Sequence, residues 1–287
     1  MKKIFFCLIV LLALGFINVI SQDLNWQEKK GDHFIVYYLK GDSSFAKQVL
    51  RKAEKDYVRI ARSFGYSRHS NFWTWDNRVR IYIYPDKDSY VKGTGMPQWS
   101  GGSAFYQEKI IASYSRSEQF LYSILPHEMG HLIFRDFVGF KGEVPLWLDE
   151  GVAQWSEKSR IEEIKQVMDV FVDEGNILSL KDLTQIDIRK VKKDDNVSYE
   201  NALAVSSNKP LMALRGDELI RLFYYQAGSL VSFMAERYGI DKFSQFCRKL
   251  RDGESLDGAL KAAYAPGIGN LDDLEQAWFE HIGIENN

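Results

Sequence analysis

The sequence predicts an α+β fold, and three observations lead to that prediction. Two runs rich in β-branched and aromatic residues, His33 to Leu39 and Val79 to Tyr84, are typical of strands. Between them, Phe45 to Phe64 repeats its apolar residues with the period of an amphipathic helix. After a further pair of short strands the patterns become helical, so strands and helices do not alternate strictly along the chain.

The middle of the chain predicts a hairpin followed by two helices. Two β-prone runs between Gly101 and Tyr114 flank the turn residues 107–109. A helix is expected over Ser117 to Phe137, with its first residue as the cap, and Pro126 must kink or restart it because proline cannot donate a backbone hydrogen bond. Pro145 suits the first turn of another helix that runs to about Arg160.

The last hundred residues are expected to be mainly helical. Residues 181–217 are polar and irregular, and the charge run at 189–195 is interpreted as a solvated connector. Asp217 can cap a helix that extends to Tyr238. Two shorter helices are expected around 241–251 and 271–282.

The first 21 residues are predicted to be a secretory signal peptide. Lys2 and Lys3 precede an apolar run from Ile4 to Ile20, and Ser21 supplies a small residue at its end. An uncleaved membrane anchor is the alternative, because the run is just long enough to span a bilayer. We therefore expect an exported protein, secreted or periplasmic, with residues 4–20 as the only possible membrane tether.

Charge and cysteine content narrow the classes of protein further. Removal of the signal leaves 35 basic against 39 acidic residues, a net charge of −4, which argues against a nucleic-acid partner. Aromatic residues make up 14% of the chain, which favours a packed globule over disorder. Cys247 is the only cysteine left, so no internal disulfide is expected, and its apolar neighbours indicate a buried thiol.

The residues His127-Glu128-Met129-Gly130-His131 form an H-E-x-x-H pattern. Residues four apart lie on one face of a helix, so both imidazoles can bind the same zinc ion. Glu128 can reach a water on that metal as a general base. The apolar residues around the motif argue against an exposed helix with two solvated histidines, because burying such groups is costly unless they are paired or metal-bound.

Glu150 is the predicted third ligand of one zinc ion. Eighteen residues separate it from His131, which is enough for one helix to end and a second to return. Glu150 lies within the apolar segment from Trp147 to Trp155, where a surface carboxylate is not expected. Three protein ligands leave a coordination position open, as in catalytic zinc sites. The other histidines, at positions 33, 69 and 281, are interpreted as solvated or hydrogen-bonded.

The H-E-x-x-H helix, the gap and the W-L-D-E-G-x-A-x-W segment resemble the gluzincin clan of zinc metallopeptidases, particularly bacterial peptidase-MA-like proteins. They also resemble, more distantly, the zinc aminopeptidases that share the same gap. The resemblance is strongest over residues 120–160. It implies a zincin-like, thermolysin-like catalytic region with a small mixed sheet and an active-site helix over 22–180, and a mainly helical region over 181–287 that packs on the active site. The division near 180 could equally be a long loop within one domain.

The resemblance also implies two further functional elements. In gluzincins an edge strand beside the active helix holds the substrate as an added strand, and Gly101 to Tyr106 is the segment expected to do so here, with Gly101, Gly102, Ser103 and Ala104 as the substrate-binding residues. Tyr225 matches the tyrosine that donates a hydrogen bond to the oxyanion, with Tyr224 as its substitute. Burial of aromatic surface on an amphipathic helix explains both tyrosines equally well.

Three departures from these families affect the interpretation. The aminopeptidases carry a glutamate that binds the free amine of the substrate, and the stretch Gly101 to Phe105 has no acid, which favours internal cleavage. Several gluzincins place an aspartate four residues after the ligand glutamate to orient a histidine, where this chain has Gln154. Asp149 or a backbone carbonyl is left for that role. Pro126 lies next to the first ligand and can fix its backbone.

The sequence therefore predicts a zinc metallopeptidase that hydrolyses peptides or proteins with metal-activated water, with Glu128 and Tyr225 as catalytic residues. An exported, metal-containing binding module without turnover is the alternative. A structural zinc site is disfavoured because such sites close with four protein ligands.

Overall fold

The computed structural model describes residues 25–65, 73–98, 100–117, 119–139, 144–200, 202 and 211–284. The expected signal peptide, residues 1–21, lies outside them. Among the described residues, no helix is long and apolar enough to cross a membrane. The fold is mixed, with helices, one small mixed sheet and one hairpin.

Contacts divide the chain into two compact units. Unit 1 holds the described residues up to Leu132 except 63–65, and unit 2 holds residues 63–65 and the chain from Ile133 onward. This grouping differs from the division near residue 180 that the sequence suggested for domains.

Unit 1 is built on a five-stranded sheet. Its strands are β1 (Gln27–Lys30), β2 (Phe34–Tyr38), β3 (Val79–Tyr84), β4 (Gly102–Phe105) and β5 (Ile110–Tyr114). The spatial order is β1-β2-β3-β5-β4, with β2, β3 and β5 parallel and the two outer strands antiparallel to their neighbours. The strands and the hairpin predicted from the sequence are thus confirmed, and β4 is an edge strand.

Two helices of unit 1 connect these strands, and a third follows β5. They are α1 (Ser43–Ser63), α2 (Lys87–Thr94) and α3 (Leu125–Val138), the last of which crosses the division between the units. Helix α1 buries one apolar face, which includes Val49, Tyr57 and Ile60. It joins the parallel strands β2 and β3, since parallel neighbours require a crossover. Helix α2 was not predicted; Asp86 caps it by accepting a hydrogen bond from the Ser89 amide.

Unit 2 is mainly helical. Its helices are α4 (Leu146–Ser156), α5 (Ile161–Asp173), α6 (Leu180–Gln185), α7 (Gly216–Tyr238), α8 (Ile240–Arg251), α9 (Leu256–Tyr264) and α10 (Leu271–His281). Helix α7 packs against both α4 and α5. A hairpin of β6 (Asn196–Glu200) and β7 (Leu211–Arg215) precedes α7. Cys247 on α8 is fully buried, as predicted.

Two details of unit 2 correct the sequence-based expectations, and one agrees with them. The segment 181–217 is not irregular throughout, because it contains most of α6 and both strands of the hairpin. Helix α7 begins one residue before the predicted cap: Arg215 is the N-cap, and its amide donates to Glu218 Oε2. Asp217 instead lies in the first turn, where a negative charge favours the helix dipole. The charge run 189–195 is mostly solvent-exposed, as interpreted.

Candidate metal centre

His127 and His131 lie one turn apart on α3, as their spacing predicted. Their Nε2 atoms are 3.2 Å apart, and their ring planes are nearly perpendicular. Both residues are buried, with 2% and 0% of their surface exposed. The two imidazoles therefore present nitrogen atoms to one small volume inside the protein.

The helix reaches this position through one turn of π helix. The residues Phe120–Ile124 form that turn, and the Leu125 amide donates to the Phe120 carbonyl five residues earlier. In a regular α-helix the ring of Pro126 would clash with the carbonyl of Tyr122, and the wider turn relieves that clash. Ser117 Oγ accepts a hydrogen bond from the Phe120 amide, as expected of a cap. The predicted irregularity at Pro126 is thus a π turn immediately before α3.

Glu150 lies in the middle of α4 and is fully buried. The neighbouring Asp149 is held by Arg135 on the last turns of α3, whose Nη2 and Nε lie 2.8 and 3.1 Å from Asp149 Oδ2. This ion pair is itself within unit 2, and it fixes the start of α4 against the end of α3. Arg135 was not singled out from the sequence, although it lies four residues after His131 and therefore on the same helical face.

Ligand atoms of His127, His131 and Glu150 all lie within 4.8 Å of one another. Two nitrogen ligands at 2.0–2.1 Å from one tetrahedral ion would be about 3.3 Å apart, close to the separation of the two Nε2 atoms. Two imidazoles and one carboxylate are a donor set that suits zinc and several other divalent metals. This buried group could hold a metal ion.

Glu128 is fully buried beside the two histidines but is not part of the three-residue group. One residue along a helix turns the side chain by about 100°, so Glu128 leaves α3 at a different angle from His127. Glu128 thus offers a buried carboxylate on the same turn of α3 as the first histidine.

The edge strand β4 runs along the helix that carries the histidines. A Cβ atom added at Gly101 or Gly102 would lie 2.6 Å from side-chain atoms of Ile124, just before α3. At the other end of the strand, the ring of Tyr106 lies 5.8 Å from the ring of His131. Among the described residues β4 pairs only with β5 and is therefore an edge strand, and the Gly102 carbonyl accepts a hydrogen bond from Ser100 Oγ. Ser103 is buried and Ala104 is half-buried.

Tyr225 on α7 is fully buried, and its hydroxyl donates a 2.6 Å hydrogen bond to Glu163 Oε1 on α5. Burial, followed by this hydrogen bond, raises the pKa of Tyr225 to about 12, so it is a neutral donor at physiological pH. That donor is engaged with Glu163, and it could serve an oxyanion only by exchanging this bond. Tyr224 is also buried and packs its ring against Phe223.

The remaining predicted residues have ordinary partners. His33 Nδ1 lies 2.6 Å from Glu54 Oε2, and His281 packs against the ring of Phe233. His69 lies outside the described residues. Gln154 is buried and its Cβ lies 3.1 Å from the place of a Cβ at Gly228, so it lies where α4 approaches α7.

A pocket of about 710 Å³ opens in unit 2 at the start of α4. Its wall includes Leu146, which lies one turn before Glu150 on the same face of the helix. Arg189 also lines it and forms two hydrogen bonds with the carboxylate of Asp187, at 2.6 and 3.0 Å. These bonds raise the pKa of Arg189, and burial opposes part of that effect. The size is ordinary for a ligand pocket.

No family model matches the sequence, and no curated protein matches it at a significant level.

Proposed function

We propose that this protein is a zinc-dependent metallopeptidase of the gluzincin type, with a zincin-like catalytic region, that cleaves peptide bonds internally. The observation that carries the proposal is the buried group of His127, His131 and Glu150, with ligand atoms within 4.8 Å. A structural zinc site would need a fourth protein ligand, and the group contains three. Glu128, which is fully buried and follows the first ligand on α3, is the feature that a site for binding alone does not require.

In this proposal each residue has a defined role. Zinc held by the three ligands would supply a Lewis acid and lower the pKa of a water toward neutrality. Glu128 accepts the proton of the attacking water and then delivers it to the leaving amine. Tyr225, or Tyr224 in its place, is the proposed donor to the oxyanion.

Two further features support a peptide as the substrate. An extended peptide could pair with the outer edge of β4, along Gly102 to Phe105, through main-chain hydrogen bonds. In unit 2, the pocket at the start of α4 is large enough to hold a peptide side chain. Export of the protein remains a prediction from its first 21 residues.

The test compares the wild-type protein with the Glu128→Gln variant on a mixture of peptides, with new termini read by mass spectrometry. We expect Glu128→Gln to keep about one zinc per chain and to lose cleavage by at least about 100-fold, since general-base catalysis contributes factors of that size. A chelator should abolish wild-type cleavage, and zinc should restore it. Glu162→Gln on the exposed side of α5 is the matched control and should cleave normally.

Full activity of Glu128→Gln would contradict the proposed mechanism. Zinc binding without cleavage of any peptide by the wild-type protein would instead favour the exported binding module.

A further inference from the structure

Two arginines of unit 2 lie over the ring of Tyr225 at cation–π distance. The guanidinium carbon of Arg160, at the start of α5, is 5.3 Å from the centre of that ring, and that of Arg221, one turn earlier on α7, is 5.8 Å from it. Arg221 also lies 5.3 Å from the centre of the Phe171 ring. We call these two arginines with Tyr225, Glu163 and Phe171 the arginine cluster.

The cluster holds more positive than negative charge. Glu163 is its one carboxylate, and it accepts the hydrogen bond of the Tyr225 hydroxyl. Within the part of the chain that the structure describes, the Nε atoms of Arg160 and Arg221 are buried without a hydrogen-bond partner, and neither guanidinium forms an ion pair. Buried N–H donors of a charged group that lack a partner are costly, so this arrangement favours a bound anion.

The Tyr225 ring also prepares the two arginines to bind an anion. An aromatic ring that contacts the flat face of a guanidinium fixes its plane and leaves the N–H edge to donate hydrogen bonds. A guanidinium edge matches two oxygens of a carboxylate or a phosphate. Both arginines are half-buried rather than enclosed, so a small ligand can reach them.

We propose that Arg160 and Arg221 form a binding site for an oxyanion, either a phosphate or a carboxylate group. The proposed site uses none of the metal ligands and does not require peptide cleavage, although it shares the ring of Tyr225 with the proposed oxyanion donor. Free phosphate and the terminal carboxylate of a peptide are the two sources that present this chemistry.

The experiment measures thermal unfolding of the full chain while phosphate is added at constant ionic strength. We expect the midpoint to rise by about 3 °C at phosphate concentrations well above the Kd, as ligand linkage predicts for a chain of this size. A second arm compares a short peptide with a free terminal carboxylate and the same peptide with a terminal amide, on the Glu128→Gln variant so that no cleavage occurs. A rise with phosphate alone, or with the free carboxylate alone, supports the site and identifies the source.

Variants locate the effect. Arg160→Gln and Arg221→Gln should each lose the rise, and Arg160→Lys should weaken binding at least tenfold because lysine keeps the charge without the planar edge. Arg237→Gln, an exposed arginine on the same helix α7, is the matched control and should respond as the wild type does.

A direct measurement covers the case in which a glutamine variant fails to fold. In wild-type protein labelled with ¹⁵N, the Nε–Hε signals of Arg160 and Arg221 should shift with added phosphate while that of Arg237 should not. Equal midpoint shifts in all variants would overturn the proposal, as would unchanged Nε–Hε signals with every anion.

Discussion

The chain builds two polar clusters, one fully buried and one half-buried, and they differ in the charge of the groups that they bring together. His127, His131 and Glu150 bring electron-pair donors to one point, and such a group is completed by a cation. The arginine cluster brings hydrogen-bond donors with positive charge to one aromatic ring, and it is completed by an anion. The charge of the ligand that each cluster suits can therefore be inferred from its donor set.

The two clusters share one support. Helix α4 carries Glu150 and helix α7 carries Tyr225, and the two helices pack closely at Gly151, where a Cβ would lie 2.4 Å from the Ala227 carbonyl oxygen. A change at this contact should affect both clusters, whereas a change to a ligand of one should leave the other intact.

Loss of one imidazole should abolish metal binding and leave the arginine cluster unchanged. We expect His131→Ala to fall from about one zinc per chain to about zero, because a two-ligand site holds zinc weakly. His281→Ala should keep its metal, since His281 packs on Phe233. Elemental analysis of the purified proteins measures the metal, and the phosphate-dependent unfolding midpoint reports on the arginines. A zinc content near one in His131→Ala would show that the metal is bound elsewhere.

The second-largest effect is expected in stability, from removal of the positive charge of Arg135 that pairs with Asp149 on α4. Asp149 is almost fully buried and accepts both hydrogen bonds of Arg135, so Arg135→Met leaves a buried carboxylate without its cation. We expect a loss of about 3 kcal/mol in the free energy of unfolding, measured with urea. The control Arg248→Met, on the exposed face of α8, should lose only a few tenths of a kcal/mol.

A double-mutant cycle sharpens this result. Arg135→Met combined with Asp149→Asn should lose less than the sum of the two single changes, because the carboxylate that was left unpaired is then neutral. The zinc affinity of Arg135→Met should fall as well, while its response to phosphate should stay at the wild-type value. Additive losses would mean that the ion pair does not couple α3 to α4.

The shared contact gives the third prediction. In Gly151→Ala the new methyl group meets backbone atoms of α7, which cannot rotate away, so the helices must separate. We expect a loss of about 2 kcal/mol in unfolding free energy and weaker binding of both zinc and phosphate. Gly267→Ala is the control, because its nearest neighbour would be 3.8 Å away. A loss confined to zinc binding would show that the arginine cluster does not depend on this contact.

The metal group could be predicted from the sequence because its geometry is largely local. Four residues on a helix place His127 and His131 on one face, and the apolar setting of Glu150 indicated that it points inward. The strands β2 and β3 and the helix α1 were predicted for the same reason, since their periodicity is visible in short windows.

The arginine cluster could not be predicted in this way. Glu163 and Tyr225 are 62 residues apart in the sequence, and only the packing of α5 against α7 joins them. The hairpin of β6 and β7 was missed because its strands are half-exposed, so the polar residues between Asn196 and Glu200 suggested a connector. Helix α2 was missed because it is short and begins at a capping aspartate within a polar segment.

Arg189 completes the comparison, because it is an arginine whose carboxylate partner is part of the protein. Its hydrogen bonds lower the pKa of Asp187 from 3.8 to about 2. Because the folded pKa is below the unfolded one, this pair stabilises the fold above about pH 4, and its contribution is lost as the pH falls through 2. Asp187→Asn should therefore cost about 1 kcal/mol at pH 7, after allowance for solvent screening, and nearly nothing at pH 2. Urea unfolding of both proteins at several pH values measures this difference.

Arg189 should also differ from Arg160 and Arg221 in its response to added phosphate. Its Nε–Hε signal should not shift, because its donors already have the carboxylate of Asp187 as an anion. A shift equal to that of Arg160 and Arg221 would mean that phosphate binds any arginine of the protein surface.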